Sequence, residues 1–506
     1  MKNARLELAF VCAGLAAWSA AVTAYVFRSG WTLYYGDAEA HLNIARRIVD
    51  SRTPGYDQIG TVWLPLPHLL MLAFVQNDGL WHSGLAGALP AAACFVCAGA
   101  FLFAAMRRVT ASTTAAVVSL GLFALNPNLL YLQATPMTEP AFLAAFLALL
   151  YATVVFAQTQ SFGAVLGAGI AALAATLTRY EGWFLIPFVT LFFLLAARRR
   201  RLAAALTFGA IASLGPLYWL AHNWWLYSNP LEFFNGPYSA KSIYQRAIAE
   251  HMQPYPGDHD WFKDWQYFSA AAAKVAGWGL LGAAAAGLIA IARKRFFWPA
   301  TLAALPPLFY IWSMHSGSTP IFIHGLWPNT NYNTRYALSA LPLFAIAGGS
   351  LVLLARQNLR PWLAVTVLAL ATAPWLLRPE PAQWVCWNEG RTNSMSRRAW
   401  THEAAAVMES SYRMGDGILT SFGDMTGILR AAGIPLREML FNDEPAWMFA
   451  VARPALFLHE AWAIAISGDP VATAVQRATL QNGRHYHLVQ SIMQRGAPVI
   501  EIYRRD

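Results

Sequence analysis

The sequence predicts an all-α polytopic membrane protein with a small α/β domain at its C-terminal end. Three observations predict it. Of 506 residues, 57% are hydrophobic and only 12% charged, against about 25% charged in a soluble globular chain. Apolar runs of roughly membrane-crossing length recur along the first three quarters of the chain. Beyond about residue 378 those runs stop, and short strand-like segments alternate with helical patterns instead.

About eleven spans of roughly 16–25 residues are expected, near 8–27, 80–105, 113–132, 140–157, 162–177, 183–197, 202–222, 273–292, 297–313, 336–355 and 361–377. The first has the look of a weakly cleavable signal peptide but is long enough to span, and is read as an uncleaved anchor. Lys2 and Arg5, Arg107-Arg108, Arg198 to Arg201, Arg293 to Arg295, and Arg356 with Arg360 fall on one side. Clustered Lys and Arg mark the cytoplasmic side. The opposite side receives the loops 28–79, 133–139, 178–182, 223–272 and 314–335, then the tail. This gives a transmembrane domain over 1–377, a linker at Arg378–Pro381 and a C-terminal domain over 378–506 outside the cytoplasm. The location expected is a bacterial-type inner or plasma membrane.

The first outer loop is read as an amphipathic helix lying in the interface plane. Ala38, Leu42, Ala45, Ile48 and Val49 form its apolar face; Glu39, Asn43, Arg46, Arg47 and Asp50 form its polar one. Pro65 and Pro67 start a second, short apolar helix that runs to about Val75. The loop 223–272 carries thirteen Trp, Tyr and Phe residues without strong secondary structure. It is a substrate lid or an aromatic belt at the headgroups. In the tail, a helix is expected over 397–413 and strands at 417–420, around Leu440, at 454–458 and at 499–503, with a helix over 424–432.

The net charge of +10 is spread over loop ends rather than gathered on a soluble face, which excludes nucleic acid as a partner. Four cysteines, three inside apolar runs, imply no disulfide framework; Cys94 and Cys97 have redox-motif spacing but lie mid-span.

The outer side holds carboxylates (Asp37, Glu39, Glu139), cations (Arg179, Lys241, Arg335) and several histidines. Carboxylates at a membrane face are expensive and mark sites; Arg and Lys at span ends are natural phosphate partners. Together they suggest group transfer from a phosphate leaving group, a carboxylate taking the acceptor's proton and the cations stabilising the departing phosphate. Asp37 is the base in this reading; the alternative is that it only caps a helix starting at Ala38. Arg179 has the alternative of a plain ion pair with Glu181, and Glu139 that of a helix-start residue. His41, one turn after Asp37, is a further candidate.

The ordered set Gly36-Asp37-Ala-Glu39, Trp63-Leu-Pro-Leu-Pro67, Thr135-Pro-Met-Thr-Glu139-Pro140, Leu177-Thr-Arg179-Tyr-Glu-Gly182 and Asn333-Thr-Arg335-Tyr336 resembles the GT-C membrane glycosyltransferases that use polyprenyl-phosphate sugars. The branch it resembles most holds the protein O-mannosyltransferases and the lipid A aminoarabinose transferases. The resemblance implies Asp37 as base, Glu139 as second acid and Arg179 on the donor phosphate, and its motifs include Glu39, Arg335 and Tyr336 as further site residues; Lys241 and Arg335 join Arg179 as donor-phosphate candidates by their place at span ends. It implies a polyprenyl-phosphate sugar as donor, a lipid, glycan or protein as acceptor, and membrane lipids as surroundings. The chain departs from the pattern in having Asp37-x-Glu39 where relatives have adjacent acids, and Leu64 where a Lys often precedes the Pro pair. Some members bind a divalent ion near the first two acids; the sequence shows no tight ligand spacing, so no metal site is assigned. The rival class is a transporter or flippase of a lipid-linked or anionic substrate. It is disfavoured by the absence of an internal repeat and by charges confined to span ends.

Overall fold

The computed structural model describes all of the chain except Met1, Ser318, Arg378, Pro379 and Asn482; the expected linker therefore lies partly outside the described residues. Every expected span is helical. Among the described residues, six helices are each long and apolar enough to cross a membrane: Arg5–Arg28, Leu85–Thr110, Glu139–Thr159, Arg201–Tyr227, Thr334–Leu354 and Gln357–Leu377. A seventh is counted if Trp261–Ala276 and Trp278–Lys294 form one span bent by 107°. The bend falls at Gly277, whose φ of +75° few other residues adopt. The expected spans at 113–132, 162–177 and 183–197 contain the shorter apolar helices Thr113–Ala124, Phe162–Thr176 and Glu181–Ala196. The protein is an integral membrane protein.

Helix ends expected on one side do meet. Arg107 pairs with Glu7 at 3.3 Å, Arg108 donates to Gln158, and the Arg198 amide donates to Gln160. The loop 223–272 departs from expectation. It contains the helix Ala240–Ala249, started by the Ser239 side chain accepting from the Ser242 amide, and Asp260 caps the helix Trp261–Ala276. Local Ser and Asp capping outweighs the irregular look that the aromatic residues give this stretch.

Composition placed a boundary at 377/378. Contacts divide the chain otherwise, into one unit of Met1–Ser29, Thr61–Pro67 and Ala88–Glu389, and a second of Gly30–Gly60, His68–Gly87 and Gly390–Asp506. The second unit is built on five strands: β1 (Ile418–Leu419), β2 (Met439–Leu440), β3 (Trp462–Ile466), β4 (Tyr486–Ile492) and β5 (Ile500–Arg505). Their order is β2-β1-β3-β5-β4, with β2, β1 and β3 parallel to one another and β5 antiparallel to both of its neighbours, β3 and β4. Side chains alternate between its faces. Ile418, Trp462, Ile464, Ile500 and Ile502 pack in one core with Leu42, Ala45, Met71, Val75 and Trp81 from the N-terminal segments of the same unit. Leu419, Leu440, Ala463 and Ala465 pack on the other face with Val471, Ala472 and Val475 of the helix Pro470–Leu480.

Two corrections follow. Residues 454–458, expected as a strand, begin with the short helix Pro454–Phe457; a short apolar run does not distinguish strand from buried helix, and Pro at the first helical position favours the latter. The strand of that region is β3. The first-loop helix, Gly36–Arg47, does not lie in the interface with its polar face outward: Glu39, Asn43, Arg46, Arg47 and Asp50 are all buried. Each charge has found a protein partner, which removes the need for water.

Candidate active site

Within the first unit, three loops of the expected outer side converge. Glu139 is the first residue of the helix Glu139–Thr159, Arg179 lies in the turn before the helix Glu181–Ala196, and Arg335 lies in the 3₁₀ turn Thr334–Ala340. Glu139 Oε1 accepts from Arg179 and from Arg335, each at 3.2 Å. Arg179 Nε donates to Glu181 at 2.7 Å, its Nη1 to Thr138 Oγ1 at 2.6 Å, and its Nη2 to the Tyr310 hydroxyl at 2.5 Å. The Tyr310 hydroxyl donates in turn to Glu181 at 2.7 Å. The Tyr336 ring stacks on Tyr310, with centroids 4.7 Å apart. Both guanidiniums lie over the Tyr336 ring, at 5.2 and 4.9 Å.

Glu389, from the helix Val385–Asn393, closes the network. It faces Arg335 at 3.8 Å and accepts the Asn333 and Thr334 amides at 2.9 and 2.8 Å. Burial pushes its carboxyl up; Arg335 and the donors of Thr334 and Asn333 pull it back without cancelling the rise. Glu139 Oε2 is buried with no hydrogen-bond partner among the described residues. Three carboxylates thus face two guanidiniums, and the longest pairings are those of Glu139 and Glu389.

Asp37 and Glu39 belong to the second unit. The first-loop helix starts at Gly36 with Tyr35 as its N-cap and no side-chain cap. Asp37 is therefore the second helical residue and not the cap of a helix starting at Ala38. It is half-buried. Glu39 is buried, 2.7 Å from Arg430 and in a short contact with Arg397. Burial alone would raise its carboxyl, but Arg430 and Arg397 outweigh burial and hold it below the usual range. His41 Nδ1 meets His68 Nε2 at 3.0 Å. Burial, then His41, then Arg47 hold His68 well below the usual imidazole range.

The structure therefore gathers Glu139, Arg179, Arg335 and Tyr336, and it shows Lys241 in a different contact, its ammonium 4.6 Å over the Phe234 ring. Sequence reasoning missed Tyr310, Glu389, Arg397 and Arg430. A lone Tyr inside an apolar span and a lone Glu beside Trp384 and Trp387 were the available signals for the first two. Among the described residues, no group of three or more His, Cys, Asp or Glu side chains is gathered as a metal ion requires.

Residues 71–225, less than half of the chain, match the family model of dolichyl-phosphate-mannose-protein mannosyltransferases. No curated protein matches the sequence. Among solved structures, ArnT from Cupriavidus metallidurans in the apo state is similar with a TM-score of 0.58 at 15% identity, over 97% of this chain and 98% of that one. The same protein bound to undecaprenyl phosphate gives 0.53 at 14% identity, over 96% and 97%. The oligosaccharyltransferase of Archaeoglobus fulgidus in the apo form gives 0.50 at 12% identity, over 91% and 69%. These likenesses span both units of the chain, so the protein has the GT-C glycosyltransferase fold, a helical membrane part followed by a small α/β part.

Proposed function

We propose that this protein is a membrane glycosyltransferase that moves a sugar from a polyprenyl-phosphate donor to an acceptor outside the cytoplasm. The observation that carries the reading is the convergence of Arg179, Arg335, Glu139 and two stacked tyrosines where three loops of one side meet. The partial match to mannosyltransferases using dolichyl-phosphate-mannose and the similar ArnT bound to undecaprenyl phosphate support a lipid-phosphate donor.

In the proposed reaction Asp37 takes the proton of the acceptor hydroxyl, the acceptor oxygen bonds to the sugar's anomeric carbon, and the bond from that carbon to the phosphate oxygen breaks. The departing phosphate keeps the electron pair. Arg179 and Arg335 stabilise its growing charge. In the resting protein Glu139 holds both guanidiniums by longer contacts than the 2.7 Å of Glu181. It is the partner that a phosphate displaces at least cost. Lys241 has no part in this scheme. The acceptor is a lipid, glycan or protein carrying a free hydroxyl, and the C-terminal α/β part faces the same side as the reaction.

The test is incubation of the purified protein with radiolabelled undecaprenyl-phosphate sugars and membrane acceptors. Label entering an acceptor with release of undecaprenyl phosphate is the expected result. Intact donor crossing proteoliposomes with no product would overturn the reading in favour of a flippase.

A further inference from the structure

Arg397 sits in the helix Met395–Ser411 of the second unit and is buried. Its guanidinium makes two kinds of contact with the first outer loop. Nη1 pairs with Glu39 Oε2; Nη2 donates to the Leu33 and Tyr34 carbonyls, each at 3.1 Å. One planar fork therefore grips the chain on both sides of Asp37, before the helix begins and at its fourth residue. Arg430 secures the second grip: its Nε donates to Glu39 Oε1 at 2.7 Å and its Nη1 to the His82 carbonyl at 2.6 Å. The room for this pairing comes from Gly427, where a Cβ would lie 2.7 Å from Glu39 Oε1. Arg398, the next residue, covers the Tyr34 ring at 3.9 Å. The helix itself has no side-chain cap at its start. Its first turn is thus held from outside, by the C-terminal helices.

We propose that Arg397 is a positioning residue of the transfer reaction, fixing Asp37 by gripping the backbone ahead of it and the Glu39 carboxylate behind it, with Arg430 anchoring Glu39. The proposal rests on the reading of Asp37 as the base. It gives Glu39 a role as an anchor rather than as a second proton acceptor. It also makes the C-terminal α/β part a component of the catalytic apparatus. A base displaced by about 1 Å can lose on the order of 100-fold in rate, so a grip on either side of it has a catalytic consequence.

R397K tests this. Lysine keeps the charge but has no planar fork, so it can hold the carboxylate or the carbonyls but not both sets. Hydrogen exchange of the full-length protein in detergent should show the amides of residues 33–41 exchanging roughly tenfold faster in R397K, with those of 462–466 and 500–505 unchanged. With undecaprenyl-phosphate sugars as donors, kcat should fall roughly tenfold or more while donor KM stays constant. A purely structural arginine would leave this split unmoved. R397K with wild-type exchange over 33–41, or with wild-type kcat, overturns the proposal. D37N measured beside it separates the two ideas: an inactive D37N with a fully active R397K removes the positioning role alone. A fully active D37N removes the base reading itself.

Discussion

The two charge networks of this protein are built in opposite proportions. Around Glu39, two guanidiniums serve one buried carboxylate at close contact, and a further acid, the exposed Asp424, lies 4.0 Å from Arg397. Around Arg179 and Arg335, three carboxylates serve two guanidiniums, two contacts stretch to 3.2 Å and one to 3.8 Å, and Glu139 Oε2 has no hydrogen-bond partner among the described residues. The first network is saturated, so breaking it exposes buried charge. The second is loosely held and can exchange one anion for another. On the proposed reading, the difference separates a device that fixes geometry from a device that receives a ligand.

The sharpest way to break the comparison is to neutralise one acid in each network. E39Q leaves Arg397 and Arg430 buried with no close counter-charge, the exposed Asp424 lying 4.0 Å from Arg397, and should cost about 3–5 kcal/mol of stability; E139Q, which leaves Arg179 its Glu181 and Arg335 its Glu389, should cost about 1.5–3 kcal/mol, as for a lost hydrogen bond to a charged group. Denaturant titration of the second unit's tryptophan fluorescence and thermal melting in detergent measure both. Equal losses would erase the distinction. D37N keeps a polar first-turn residue and should fold normally while transfer falls roughly 100-fold, about 2.7 kcal/mol. A transfer assay beside a melting curve reads this directly.

R179A should weaken binding of undecaprenyl phosphate by at least about 2 kcal/mol, some thirtyfold. Unchanged affinity by titration would return Arg179 to being the structural partner of Glu181. The smallest effect is one of pH. His68 is held well below its unfolded value by burial, His41 and Arg47. The unfolded chain therefore binds a proton that the folded one refuses. Stability is whole above about pH 6.5 and declines as pH falls below it, by up to about 1.4 kcal/mol per pH unit. H68N should flatten that decline in melting curves taken between pH 7 and 5; an unaltered slope would place the acid sensitivity elsewhere.

Much of the first unit was legible because membrane spans announce themselves. Length, apolarity and basic flanks located the apolar helices, though not the helix Ala240–Ala249, and loops assigned to one side contain the residues that meet at Glu139. The second unit was less legible. Glu39 and Arg397 are distant in sequence, and no local pattern says that an amphipathic helix will bury its charged face. The period showed which residues share a face; it did not show what covers that face. The strand β3 was missed because five nearly continuous buried residues, Trp462 to Ile466, lack the alternation that marks a half-exposed strand. Tyr310 was missed because a hydroxyl in an apolar span reads as ordinary until its neighbours are known.

The grip of Arg397 on Glu39 joins positions 358 residues apart in the chain. During synthesis at roughly 5–20 residues per second, the first outer loop must wait on the order of tens of seconds before its partner exists. Through that interval Leu42, Trp81 and the buried arginines of the loop have no sheet to pack on. The order of folding acts as a safeguard, since a chain interrupted before residue 397 has its spans with Arg179 and Arg335 but lacks the grip that orders the first turn of the helix Gly36–Arg47.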